Sequence, residues 1–305
     1  MKDLHELPKL KESISYIYIE KAIIEQDNSS ITLIQGTSRT PIPISVLTCL
    51  LIGPGTSITH AAIKAICDNG CMVVWCGDDL SKFYAFGTGE TRSSERLLHQ
   101  AKMCMNEDSH LKVVRRMYEF RFPGKLADDL KLQQIRGMEG IRVKQAYKYA
   151  SKVTGVKWTG RNYTRKDWDS ADPINKALSS ANSMLYSLCH SVIISLGYSP
   201  ALSFIHTGKM LSFVYDIADL YKAETVIPAA FEAVAERPFD LERRVREKCR
   251  VRFSAIHLLK RIAVDIAWVL LSEEASADIN KELPGDLWDD EQEAVIGGVN
   301  YDGRQ

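Results

Sequence analysis

Phe83-Tyr84-Ala85-Phe86-Gly87-Thr88-Gly89-Glu90-Thr91-Arg92 is the stretch on which the fold turns. Its first four residues close a strand-like run, and its glycines interrupt the chain. From Arg92 onward the apolar period changes from two to that of a helix. On the N-terminal side, Ser13-Ile14-Ser15-Tyr16-Ile17-Tyr18-Ile19 alternates strictly, and so does Ile31-Thr32-Leu33-Ile34 after the turn Asn28-Ser29-Ser30. Such alternation predicts strands. Pro41-Ile42-Pro43-Ile44, the apolar run Val46 to Ile52 before Gly53-Pro54-Gly55, and Met72-Val73-Val74-Trp75 extend the series. One short helix is expected, from Thr59 to Cys67, stopped at Asn69-Gly70.

On the C-terminal side, Leu97, Met103 and Met105 begin a helical pattern that Leu111 to Met117 continues, up to a stop at Phe122-Pro123-Gly124. Further helical stretches cover Leu126 to Val153, Pro173 to Leu196, Leu211 to Ala223 and Leu241 to Leu271, with a polar, aromatic-rich loop from Tyr163 to Asp172. Beyond Ala275 the period is lost and acids dominate, as in a flexible tail. The expected fold class is α+β. Residues 1–88 make a small β-rich domain, 89–275 a larger α-helical domain, and 276–305 an acidic tail.

The charge is divided in the same way. Lys+Arg and Asp+Glu both number 39, a formal net charge of zero. By segment, residues 1–90 carry 7 basic and 10 acidic groups (−3), residues 91–270 carry 30 and 19 (+11), and residues 271–305 carry 2 and 10 (−8). A positive centre inside a neutral total points to a polyanion partner. At 45% hydrophobic and 26% charged residues, disordered, fibrous and membrane classes are excluded. No apolar run reaches the roughly 18 residues of a membrane span, and Met1-Lys2-Asp3-Leu4-His5 lacks a signal-peptide core. Seven scattered cysteines, an odd number, suggest reduced thiols and a cytoplasmic setting.

Several motifs fail. Gly87-Thr88-Gly89 lacks the third glycine and βαβ frame of a dinucleotide site, and Gly208-Lys209 is followed by Met210 where a P-loop needs Ser or Thr. Cys67, Cys71 and Cys76 have neither CxxC spacing nor a nearby histidine pair.

Phe204-Ile205-His206-Thr207-Gly208-Lys209-Met210-Leu211-Ser212-Phe213-Val214-Tyr215-Asp216-Ile217-Ala218-Asp219-Leu220-Tyr221-Lys222 does carry chemistry. Asp216, Asp219 and Lys222 are spaced i, i+3, i+6 on one helical face. Buried carboxylates need partners: either a salt bridge to Lys222 or Lys209, or a divalent cation, for which carboxylates are natural ligands. His206 precedes them across a Thr-Gly-Lys turn. Glu139, in Arg136-Gly137-Met138-Glu139-Gly140-Ile141-Arg142, is a further candidate ligand or else half of a Glu–Arg pair. The two glycines cost about 1 kcal/mol each against alanine inside a helix, which suits a site where another backbone, such as a phosphodiester chain, comes close.

These residues carry a resemblance. Gly137-Met138-Glu139-Gly140, His206-Thr207-Gly208-Lys209 and Tyr215-Asp216-Ile217-Ala218-Asp219 resemble the CRISPR-associated integrases of spacer acquisition (the first-numbered Cas protein), and the type I-E branch most of all. The likeness runs from the first strand pair to about Leu271. It implies a dimer of chains with an N-terminal β domain and a helical catalytic domain, assembled with a small ferredoxin-like partner, the second-numbered Cas protein. It also implies Mg²⁺ or Mn²⁺ held by Glu139, His206 and Asp219, with Asp216 as a neighbouring carboxylate. The substrates would be a double-stranded prespacer and the CRISPR repeat, whose phosphodiester each prespacer 3′-hydroxyl attacks by transesterification. Lys209 and Lys222 would add positive charge, and Tyr186 matches a tyrosine near the family site.

For the polyanion surface, Lys112, Arg115 and Arg116, then Arg243, Arg244, Arg246, Lys248, Arg250 and Arg252, are the densest basic clusters, alongside Arg136 and Arg142. Trp158, Tyr163 and Trp168 lie among basic residues and either stack on unpaired bases or pack within the protein. A nuclease that cuts without joining, and a non-catalytic DNA-binding scaffold, remain open beside the integrase reading.

Overall fold

The computed structural model describes residues 16–28, 30–89, 94–161, 172–236 and 240–270, apart from the side chain of Val46. The expected acidic tail, Trp168 and Tyr163 lie outside these residues.

Eight strands form two four-stranded sheets within residues 16–87. The first has the order β1-β5-β7-β8, built from β1 (Tyr16–Ile19), β5 (Cys49–Ile52), β7 (Met72–Cys76) and β8 (Phe83–Gly87). Its first three strands run parallel, in the register Leu50↔Val73, and β8 returns antiparallel with a bulge at Trp75/Cys76. The second sheet, β4-β3-β2-β6, is a meander of β2 (Ile23–Asp27), β3 (Ser30–Gln35) and β4 (Ser38–Pro43), with β6 (Ser57–Ile58) parallel to β2. Here the sequence alternation is realised: Ile24, Ile31 and Ile42 point inward onto Leu50, Ile52 and Val73. The first sheet is covered on both faces, because Cys49, Leu51, Met72 and Val74 meet Ile194 of the helical part. A sheet covered twice explains why Val46 to Ile52 is a continuous apolar run.

Helix α1 (His60–Asp68) occupies its expected place, with the Thr59 hydroxyl accepting from the Ala62 amide at 3.2 Å. One glycine of the opening stretch has a steric role. A Cβ on Gly89 would stand 2.2 Å from the carbonyl oxygen of Cys67, so the chain leaves the β-rich part flush against the end of α1.

The helical part begins with α2 (Glu95–Met105) and α3 (Glu107–Glu119), which the sequence pattern presents as one continuous stretch. Asn106 divides them: its amide closes α2 on Lys102, and its side chain caps α3 by accepting from the Ser109 amide at 2.9 Å. Helix α4 (Leu132–Thr154) starts six residues later than Leu126, and its C-cap Gly155 is left-handed. Helix α5 (Pro173–Ser195) is nearly as expected, with Pro173 in its first turn and Asp172 as cap. Buried on all sides from Ser187 onward, it forms the axis of the domain, packed on α6 (Ser212–Asp219), α7 (Val226–Glu236), α8 (Leu241–Ala255) and α9 (Leu258–Leu270).

Three expectations need correction here. The stretch Leu211 to Ala223 is helical only to Asp219 and then turns. Leu241 to Leu271 is two helices, parted at His257 with φ 47°. Helix α7 has no counterpart in the sequence reading, because Ala229, Ala230, Phe231 and Ala233 are all buried and no polar face marks a period.

Candidate active site

The segment before α6 is braced from α2 and α3. Gln100, fully buried, donates from Nε2 to the carbonyls of Ser199 (3.0 Å) and Leu202 (2.7 Å), and its Oε1 accepts from the Ser199 amide at 2.7 Å. His110 sets Nε2 2.8 Å from the Phe204 carbonyl. Sequence reasoning missed both residues. Their partners lie about a hundred positions away, and no local spacing signals them.

Onto this braced loop closes Asp216, with 0% of its surface exposed. Oδ2 accepts from the Ser203 hydroxyl (2.5 Å) and from the amides of Phe204 and Ile205 (both 2.9 Å). Oδ1 accepts from the His206 amide (3.0 Å) and lies 2.6 Å from His206 Nδ1. Burial pushes the Asp216 carboxyl up, but the hydrogen bonds from His206, Ser203 and the backbone outweigh it and hold the group below the ordinary carboxylate range. Asp216 therefore faces the loop instead of sharing an open face with Asp219. Its oxygens are saturated, and it acts through His206.

That contact fixes the imidazole. With Nδ1 committed to Asp216, Nε2 points outward to Asp219 Oδ2 at 3.9 Å, on a side chain 43% exposed. The hydrogen bond to Asp216 raises the imidazole above its ordinary pKa despite partial burial. Lys222, just past α6, binds Asp219 Oδ1 at 2.6 Å and lies 5.0 Å over the Tyr186 ring. Burial opposes the Lys222 charge, but Asp219 and Tyr186 more than compensate and raise its pKa. Tyr186 packs edge-on against Tyr215, which packs edge-on against His206. Lys209 is exposed on the loop.

Glu139 does not join this cluster. It lies on α4 with Arg142 Nε donating to Oε2 (2.7 Å), Arg142 Nη2 to Oε1 (2.9 Å), and Arg121 Nη1 to Oε1 (3.3 Å). Among the described residues, no three His, Cys, Asp or Glu side chains come together as cation ligands. An imidazole nitrogen and a carboxylate oxygen suit Mg²⁺ or Mn²⁺, so two of the three expected ligands converge and the third is held by arginine. Arg121, between Phe120 and Phe122, went unread in the sequence.

A family profile described as CRISPR associated protein Cas1 matches residues 15–122 and 121–256. The chain belongs to the Cas1 family. The Cas1 relatives include the CRISPR-associated endonuclease Cas1 2 of Thermus thermophilus, 47% identical over 307 residues, which span 99% of this chain and 94% of the relative. The CRISPR-associated endonuclease Cas1 of Escherichia coli K12 is 40% identical over 89% of each chain. Among solved structures, a crystal structure of a TtCas1–DNA complex superposes with a TM-score of 0.80 at 48% identity, covering 87% of this chain and 99% of that one. A casposase bound to its integration product, at 14% identity and a TM-score of 0.55, shares the fold.

Several basic residues of this Cas1 chain that were expected to face DNA have partners within the protein. Arg115 donates to the carbonyls of Leu126, Ala127 and Leu130 and so ties down the link before α4. Arg116 is half-buried and donates to the Trp268 carbonyl at 3.3 Å. Lys248 pairs with Glu236, Arg252 with Glu232, and Arg246 and Arg250 reach Asp79 at 3.9 and 3.6 Å, across a crevice that Arg243 also lines. Arg244 is half-buried. Arg243 and Arg250 of α8 and Lys112 of α3 are exposed, and α4 exposes Arg136, Lys144, Lys148 and Lys152. A Cβ on Gly137 or Gly140 there would meet nothing within 4 Å. Trp158 stacks on Tyr147 at 4.5 Å and packs on Phe231, so it belongs to the core.

No helix among the described residues is long and apolar enough to cross a membrane.

Proposed function

We propose that this Cas1-family chain is a metal-dependent DNA integrase of CRISPR adaptation, of the type I-E kind. It joins the 3′-hydroxyl ends of a double-stranded prespacer to the repeat at the leader end of a CRISPR array. It works as a homodimer with the small second-numbered Cas protein. The observation that carries the reading is the outward His206 Nε2, fixed from below by buried Asp216 and set beside Asp219 and Lys222. The relatives named as CRISPR-associated endonucleases and the DNA-bound TtCas1 support a reaction on nucleic acid.

His206 and Asp219 would hold the cation, with Glu139 added once it leaves Arg142. When bound, Mg²⁺ or Mn²⁺ supplies Lewis acidity that favours ionisation of the attacking hydroxyl and offsets charge on the phosphorus oxygens. The protein's own groups do the rest. Asp216 keeps the proton of His206 on Nδ1, so Nε2 offers a lone pair. Lys222 holds Oδ1 of Asp219 and leaves Oδ2 towards His206. Lys209 and Lys222 place fixed positive charge where the phosphate reacts. The bare backbone at Gly137 and Gly140, flanked by Arg136 and Lys144, lets a phosphodiester chain lie close to α4.

The test combines the full chain, its partner, a labelled prespacer, a supercoiled CRISPR plasmid, and Mg²⁺ or Mn²⁺. Label joined covalently to the repeat is expected, and His206→Ala or Asp219→Ala should abolish joining while sparing DNA binding. Cleavage without joining would instead assign a nuclease, and full activity in both variants would overturn the site.

A further inference from the structure

Arg121 is a cation buried to 3% exposure, yet its Nε and Nη2 meet no hydrogen-bond acceptor among the described residues. Those two donors form the side-on edge of the guanidinium, the edge by which arginine takes a carboxylate in bidentate fashion. A buried donor without an acceptor calls for an explanation. Only Nη1 is engaged, at 3.3 Å to Glu139 Oε1, while the guanidinium lies 5.2 Å over the ring of buried Tyr118. Arg142 does the opposite. Its own side-on edge occupies both Glu139 oxygens, at 2.7 and 2.9 Å, and its side chain is 25% exposed. Two guanidinium groups on one carboxylate leave a local excess of one positive charge. While Arg142 grips both oxygens, Glu139 cannot be offered to a cation.

We propose that Arg142 is a displaceable latch on Glu139, closed in the free protein and drawn off by a phosphate of the DNA that reaches α4. The inference rests on the reading of Glu139, His206 and Asp219 as one cation site. Its parts are all present. Arg142 is exposed enough to exchange partners, and it shares a helix with the exposed Arg136, Lys144 and Lys148, where phosphates would arrive. Arg121 cannot leave, being enclosed, and its Nη1 on Oε1 alone keeps Glu139 in place while Oε2 is freed when Arg142 lets go. Cation binding at Glu139 thereby becomes conditional on DNA at α4.

The latch is tested by titrating the full-length chain, without DNA, with Mn²⁺ and following free Mn²⁺ by electron paramagnetic resonance. If the latch is closed in about nine molecules of ten, Arg142→Gln should tighten Mn²⁺ binding by roughly tenfold, since apparent affinity scales with the competent fraction. Lys144→Gln removes the same charge from the same helix without touching Glu139, and it measures the general field effect. Should Arg142→Gln not fold, Arg142→Lys carries the same expectation in weaker form, because it loses the bidentate grip and keeps the charge. Binding by the Arg142 variant no tighter than by Lys144→Gln would overturn the latch. His206→Ala and Asp219→Ala are run alongside. If they bind Mn²⁺ as tightly as the unmodified chain, the cation-site reading itself falls and takes the latch with it; if they weaken it while Arg142→Gln does nothing, only the latch falls.

Discussion

At Asp216 one carboxylate gathers a hydroxyl, three backbone amides and an imidazole, whereas Asp219, three positions on, is partly exposed and, among the described residues, pairs with Lys222 and His206. The two should therefore fail differently. Asp216→Asn keeps the shape but places an amide donor among donors, and breaking such a buried charged network costs about 3 kcal/mol or more. Urea unfolding should reveal that loss together with loss of strand transfer. Asp219→Asn should cost about 1 kcal/mol or less, since partly exposed pairs contribute little, while abolishing strand transfer as completely. Equal stability of the two variants would contradict the division into a positioning and a reacting aspartate. The sequence already displayed His206, Asp216 and Asp219 as a set, because they sit within fourteen positions of one another. It could not say that Asp216 faces inward, which depends on Gln100 and His110 bracing the loop from another helix, nor that Arg121 shares Glu139 from eighteen positions away.

Helix α5 was legible because its proline-led first turn and its cap agree, and β3 because alternation is decisive where one face is buried. Helix α7 was not, since a largely buried, alanine-rich helix shows little period, and the parting of α8 from α9 rests on a left-handed histidine rather than on glycine or proline. Between elements, the seam of β8 and α5 contains His190, stacked on Phe83 with ring centroids 3.8 Å apart. Burial alone lowers its pKa from 6.5 to about 4. Because the unfolded chain takes up that proton first, the contribution of His190 to stability is intact above pH 6.5 and is lost as the pH falls from there towards 4. The loss should reach about 3 kcal/mol. His190→Phe keeps a stacked ring and should flatten this part of the stability profile; an unchanged slope between pH 6.5 and 4 would contradict it.

Over the whole molecule, the formal charge of zero conceals a positive middle, but much of that charge is spent inside the protein. Arg115, Arg116, Lys248 and Arg252 hold links and helices together, while Arg136, Lys144, Lys148 and Lys152 are open to solvent. Replacing Lys144 and Lys148 by Gln should weaken DNA binding and lower its salt dependence by about two in log–log slope, one for each phosphate no longer neutralised. Arg115→Gln should leave the slope alone and lower the unfolding midpoint. Binding titrations over a range of salt concentrations, read beside thermal melts, separate the two classes.

Helix α5 lies under both the first sheet and the site. Tyr16 hydrogen-bonds Ser195, the Ser183 hydroxyl donates to the Ser81 carbonyl, and Ile194 fills the back of the sheet, while Tyr186 of the same helix faces Lys222. One rod thus serves as the mould of two surfaces. A hybrid that takes its strands from one relative and its helices from another will assemble only if these α5 positions travel with the strands, and the graft point that respects them is not Gly89 but a matched exchange on both sides of it.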